Sequence, residues 1–336
     1  MTISLAIALA AGLQAAAAPG PAAQPLGANL EHFDYGAPVH WFETQAQGGP
    51  VRMAYIDLAP VGAANGRTAV LLHGKNFCAA TWLETAGALA RAGYRVIAPD
   101  QVGFCKSSKP QGFQYSFAAL ATLTRDLLRQ AGVEDYALVG HSTGGMLAMH
   151  YALLYPDGPS RLVLVNPLGL NDTIAEGVPY APLDVLRAGE EKTDAASIRA
   201  YQQRVYYHGE WRPVYDRWVE MLAGQYASED GDIVRDAQAR LSDMIETQPT
   251  AARLEDLSLP VTLLIGQKDV TAFRAGTAPG TVQDRIRTVP QAAEAAAERL
   301  PDAELVRFPK LGHSPMVEAP AVFQKALIEA LDGAAE

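Results

Sequence analysis

Cysteine is scarce in this chain of 336 residues: there are two, Cys78 and Cys105. Two thiols are too few for a disulfide-built scaffold or a four-cysteine zinc site. Basic residues are few as well, 27 Lys and Arg against 37 Asp and Glu, for a formal net charge of −10. That balance lacks the electropositive footprint phosphate binding needs, which excludes nucleic acid as a partner. The seven histidines show no metal-ligand spacing, His32 and His40 included, and the pattern G-x-x-x-x-G-K-S/T around Lys75 is missing. Neither a metal nor a phosphate-bound cofactor is expected. No apolar stretch approaches about 18 residues, so no stable membrane span is expected in the mature chain.

What is present is enough apolar material for a core, 49% hydrophobic residues with 19% charged. Charge is absent from residues 1–30 and begins at Glu31. Ile3 to Leu13 is an apolar run of signal-peptide length, and Ala16-Ala17-Ala18 follows it as a small-residue cleavage site. Residues 1–25 are therefore expected to be an export signal and leader, which points to a periplasmic or secreted protein.

Two short strands are expected at Val39–Thr44 and Val51–Leu58, around the turn formers Gly48-Gly49-Pro50. From Thr68 the rhythm changes. Apolar runs at Thr68–His73, Tyr94–Pro99, Tyr136–Gly140, Arg161–Asn166, Val261–Gly266 and Ala303–Phe308 read as strands without alternation. Helical patterns fill most of the gaps between them: Thr81–Ala92, Phe117–Ala131, Gly144–Tyr155 and a closing helix from about Val317. Strands of this kind are buried on both faces, so an α/β fold is expected, a mostly parallel eight-stranded sheet with helices on both sides. The alternation lapses over residues 171–255, which have helical character and are rich in Tyr and Trp. They are expected to form a helical cap inserted after the sixth strand, leaving 26–170 and 256–336 as the core.

Gly140-His141-Ser142-Thr143-Gly144 matches G-x-S-x-G between a strand and a helix. A serine on so sharp a turn is strained and projects its hydroxyl above the sheet, while the helix behind it supplies partial positive charge for a developing oxyanion. The hydroxyl is a poor nucleophile until an imidazole takes its proton, and the imidazole needs a carboxylate to set its tautomer. Asp269 and His313 each stand just past a later strand. Asp172, past the sixth strand, is the substitute acid.

The order Ser142, Asp269, His313 resembles the α/β-hydrolase superfamily, specifically its cap-bearing serine hydrolase branch, over about residues 35–335. The resemblance implies that His73-Gly74 opens an oxyanion loop, with the backbone N–H of Lys75, or of Asn76 in another register, joining that of Thr143. It likens Asp100 in PDQVGFCKSS to the family turn D-x-x-G-x-G-x-S, although Cys105 stands where the second glycine would be. The insertion's aromatics are read mainly as its own core. Some of Tyr206, Tyr207, Trp211 and Trp218, together with Asn76 and Phe77, are candidates to line an apolar substrate pocket, and His208 is expected at the surface.

The family's strand order puts Cys78 and Cys105 in loops leaving the same edge of the sheet. In an oxidising compartment a disulfide between them is expected, contributing roughly 3–4 kcal/mol in chain-entropy terms. The activity implied is hydrolysis of small to medium carboxylic esters through an acyl-enzyme, without cofactor, on an apolar small-molecule substrate. The same scaffold serves carbon–carbon bond hydrolases, lactonases, proline-iminopeptidase-like aminopeptidases and cofactor-free peroxidases. A non-catalytic binding protein is the reading from another class. Relatives that open epoxides or displace halide carry aspartate at the elbow, and Ser142 argues against both.

Overall fold

The computed structural model describes residues 23–333. The apolar run expected to direct export lies outside the described residues. Strands β1 (His40–Ala46) and β2 (Gly49–Leu58) form a hairpin closed by Gln47 and Gly48, both at positive φ (50° and 81°). Two such residues make the turn whose twist suits paired strands, so the reversal falls one residue before the Gly48-Gly49-Pro50 expected, and Gly49 and Pro50 join the ladder.

The alternating part runs through β3 (Thr68–Leu72), α1 (Leu83–Arg91), β4 (Arg95–Pro99), α2 (Phe117–Gln130), β5 (Tyr136–His141), α3 (Thr143–Leu154) and β6 (Leu162–Val165). After a long helical segment come β7 (Val261–Gly266), α8 (Gly280–Gln283), α9 (Val289–Ala297), β8 (Ala303–Phe308), α10 (Pro315–Glu318) and α11 (Pro320–Asp332). The eight strands form one sheet in the order β1-β2-β4-β3-β5-β6-β7-β8, antiparallel at β1/β2 and β2/β4 and parallel elsewhere. Every residue of β3, β5, β6 and β7 is buried, as their unbroken apolar runs require, whereas β8 at the edge is partly exposed. Each fully buried Val or Leu in these strands contributes roughly 1.5–3 kcal/mol.

Helix α2 starts where the Ser116 hydroxyl accepts from the Ala119 amide, and it buries Phe117, Leu120, Ala121, Thr124 and Leu128 on one face. Helix α3 has almost no polar face and is sunk into the core, buried along most of its length. Its first turn is thereby fixed directly behind Ser142.

Between β6 and β7 lie α4 (Leu183–Glu190), α5 (Ala195–Tyr201), a π-helical turn (Gln202–Tyr206), α6 (Asp216–Tyr226) and α7 (Gly231–Thr247), with no strand among these residues. Residues 26–36 run between α6 and the loop after β4. The Leu26 amide donates to the Gly224 carbonyl, Gln225 Nε2 to the Ala28 carbonyl and Lys106 Nζ to the Leu30 carbonyl, while Leu30 and Tyr35 are buried.

Candidate active site

Ser142 follows β5 with φ 54° and ψ −118°, a conformation that costs an L-residue of order 1–3 kcal/mol. The flanking glycines make the turn sterically feasible. A Cβ on Gly140 would collide with the Gly144 carbonyl, and one on Gly144 with the carbonyl oxygen of Leu72 in β3. Gly74 is equally constrained, because a Cβ there would come within 2.8 Å of His141 Nδ1 and 3.0 Å of Ser142 Cβ. The loop after β3 therefore lies against the elbow. The amides of Lys75 and Thr143 donate to no acceptor among the described residues.

His313 stands in the loop between β8 and α10, fully buried, with Nδ1 2.7 Å from Asp269 Oδ2. The carboxylate accepts a hydrogen bond from Nδ1–H, which fixes the tautomer whose lone pair is on Nε2, and Nε2 has no partner among the described residues. Asp269 is held in turn. Its Oδ1 accepts from the Thr271 amide at 2.7 Å and its Oδ2 from Asn166 Nδ2 at 2.8 Å. Thr271 Oγ1 also lies 3.1 Å from His313 Nδ1. Asp172 is elsewhere: its carboxylate accepts from the Ala175 amide.

The backbone around His313 is gripped from three directions. The His313 amide donates to the Tyr206 carbonyl at 3.0 Å, and the His313 carbonyl lies 2.8 Å from His141 Nε2 in the elbow. The Gly312 and Ser314 amides donate to the Glu318 carboxylate. Burial raises Glu318 to about 7. His208 Nε2 is 3.3 Å from Glu318, so this histidine, expected at the surface, is instead half-buried and paired. Burial first, and neighbouring His313 second, hold His141 well below the usual histidine range.

The candidate pocket residues divide into two groups. Tyr206 leans over His313 with ring centroids 4.8 Å apart, Phe77 contacts Tyr206, Trp218 and His141, and Asn76 Nδ2 donates to the Tyr206 hydroxyl at 2.8 Å. Tyr207 and Trp211 do not belong with them. Tyr207 stacks on Tyr215 at 3.6 Å and Trp211 packs edge-on to both, so these two meet other rings of the helical segment. Lys75 Nζ meets Glu190 at 3.0 Å, and Tyr226 donates to the same carboxylate, which ties the loop after β3 to α4 and α6.

The disulfide is corrected: Cys78 and Cys105 are both free. Each sulfur has its own contact, Cys78 Sγ with Met221 Sδ at 3.2 Å and Cys105 with the Phe77 carbonyl at 3.2 Å. Burial, helped by Cys78 beside it, pushes the Cys105 thiol well up, which disfavours the thiolate that exchange requires. Cys105 takes φ 49°, so the turn that uses glycine in the resembling motif is made by a residue in the left-handed region. Asp100 organises that turn, accepting from Tyr35 Oη, the Ala79 amide and the Lys106 amide.

Among the described residues, His73, Asp100 and Cys105 have ligand atoms within 4.8 Å of one another. Their donors are engaged: His73 Nε2 accepts from the Gln101 amide, and Nδ1 faces the Gly74 carbonyl. The cluster is knit as core. Asn166, Thr271 and Glu318 are the site residues that sequence reasoning missed; the only signals were an Asn closing a strand and a Glu five residues beyond His313.

A family model described as alpha/beta hydrolase fold matches residues 69–320. The solved structure of a probable hydrolytic enzyme from Pseudomonas aeruginosa is 52% identical with a TM-score of 0.90, covering 92% of this chain and 99% of that one. A Burkholderia cepacia protein named 2-hydroxy-6-oxo-6-phenylhexa-2,4-dienoate hydrolase is 25% identical over 272 residues, 80% of this chain and 89% of its own. An uncharacterized protein of Mycobacterium tuberculosis is 38% identical over 112 residues, 33% of this chain; the match spans about a third of that relative, 32% of its length.

Proposed function

The chain belongs to the alpha/beta hydrolase family, and on that premise we propose that it is a serine hydrolase acting on carboxylic esters of small to medium size. The observation that carries the reading is His313, with Nδ1 held by Asp269 at 2.7 Å and Nε2 buried without a partner, in the fold that strains Ser142 on its elbow. His313 takes the Ser142 proton as the hydroxyl attacks the ester carbonyl. The Lys75 and Thr143 amides receive the tetrahedral oxyanion. The alcohol leaves with the proton from His313, and water then hydrolyses the acyl-enzyme by the reverse transfers. The helices between β6 and β7 act as a cap over this centre, with Tyr206, Phe77 and Trp218 meeting the acyl group. The apolar run Ile3–Leu13 supports export, which cell fractionation of the full-length chain tests.

Ser142→Ala is expected to abolish fluorophosphonate labelling and to lower p-nitrophenyl ester turnover by at least a thousandfold. Retained turnover would overturn the assignment. A second reading, carbon–carbon bond hydrolysis, is favoured by the name of the Burkholderia relative. A panel of esters, lactones, aminoacyl amides and β-diketones separates the two.

A further inference from the structure

The helical segment between β6 and β7 carries a buried polar side chain for which the proposed hydrolysis has no task. Gln202 opens the π-helical turn and is 0% exposed, yet neither Oε1 nor Nε2 has a hydrogen-bond partner. An amide buried with both ends unpaired is costly, and native structures seldom keep one without a use. The turn itself is of a kind that recurs at functional sites.

Its orientation follows from the residues beside it. Gln202, Val205 and Tyr206 are buried, while Tyr201 and Arg204 are exposed, so positions 202 and 206, four apart, share the inward face. Tyr206 on that face leans over His313, accepts from Asn76 of the oxyanion loop, and offers its carbonyl to the His313 amide. Of the other buried atoms without a partner, His313 Nε2, Thr143 Oγ1 and Ser314 Oγ belong to the centre that Tyr206 leans over, and Tyr207 Oη follows it in the chain. A donor and an acceptor on one rigid side chain match a group that offers the complementary pair. A carboxamide does so.

We propose that Gln202 is a specificity-determining residue whose side-chain amide pairs with a carboxamide carried by the substrate beside its scissile ester. The inference rests on the hydrolase reading of the site. A pocket built to hydrogen-bond such a group discriminates strongly against an analogue without it, because the buried amide is then left unpaired.

The test compares pairs matched in chain length on both sides of the ester. The p-nitrophenyl esters of N-acetyl-β-alanine and of hexanoic acid vary the acyl side, and the acetates of N-(2-hydroxyethyl)acetamide and of pentanol vary the alcohol side. The wild type is expected to favour the amide-bearing member of at least one pair by tenfold or more in kcat/KM. Gln202→Met is expected to reduce that preference at least tenfold and to raise the melting temperature, since an apolar chain of similar shape removes the unpaired amide. Gln202→Leu serves as the second variant.

A wild type without preference in either pair overturns the proposal. So does a Met variant that keeps the preference, or a fall in melting temperature with both members of a pair losing activity together. Loss of the fold in both variants also counts against it. Fluorophosphonate labelling of Ser142 in the wild type reads the hydrolase assignment separately, so failure of one leaves the other standing.

Discussion

At the scale of single residues, the site depends on groups that hold Asp269 and the His313 loop in place. Asn166 stands at φ 41°, in the region Asn tolerates better than most residues, and bridges the end of β6 to β7: its Nδ2 donates to Asp269 and its Oδ1 accepts from the Gly266 amide at 3.0 Å. Asn166→Ala leaves Asp269 Oδ2 with His313 as its remaining partner and the buried Gly266 amide unpaired. The expected cost is roughly 1–3 kcal/mol of stability, read from urea denaturation, with kcat falling at least tenfold as Asp269 loses its orientation. Ser142 itself needed no structure to be found. Asn166 did, because an Asn after a strand is ordinary until its partners are known.

At the scale of elements, the loop between β8 and α10 owes its shape to α10 folding back on it. Glu318 in α10 receives the Gly312 and Ser314 amides and faces His208 from the helical segment, with Arg212 and His313 nearby. Its folded-state value of about 7 lies above the ordinary 4.5, so the folded protein binds the extra proton between those limits. Stability from this group is therefore fully present below about pH 4.5 and declines as pH rises through about 7. Glu318→Gln is expected to flatten that part of the stability profile, measured as melting temperature from pH 4.5 to 7.5. A wild-type slope preserved in the variant would assign the titration to another group.

At the scale of the molecule, residues 26–36 join the helical segment to the sheet core, and Lys109 anchors the join. Its Nζ is buried among Asn29 Oδ1 and the carbonyls of Cys105 and Ser107, and burial lowers it to about 8. An unfolded lysine titrates near 10.4, so the unfolded chain binds more protons between those values and stability contributed here rises with pH across that window. The difference in unfolding free energy between wild type and Lys109→Met, followed from pH 7.5 to 10.5, is expected to move in favour of the wild type. Taking the difference cancels the buried tyrosines, whose raised values pull the other way.

The order of strands and helices, the parallel core and the triad candidates were readable from the chain alone. Continuous apolar runs admit burial on both faces and little else, and the elbow at Ser142 requires glycine at fixed offsets. Only the tertiary structure decided what depends on partners distant in sequence. It separated Tyr206 and Trp218 from Tyr207 and Trp211, identical in kind and neighbours in the chain, by which rings each one meets. It left Cys78 and Cys105 as neighbouring free thiols, and it brought Asn166, Glu318 and Gln202 into view because burial and hydrogen-bond satisfaction are properties of a packed chain.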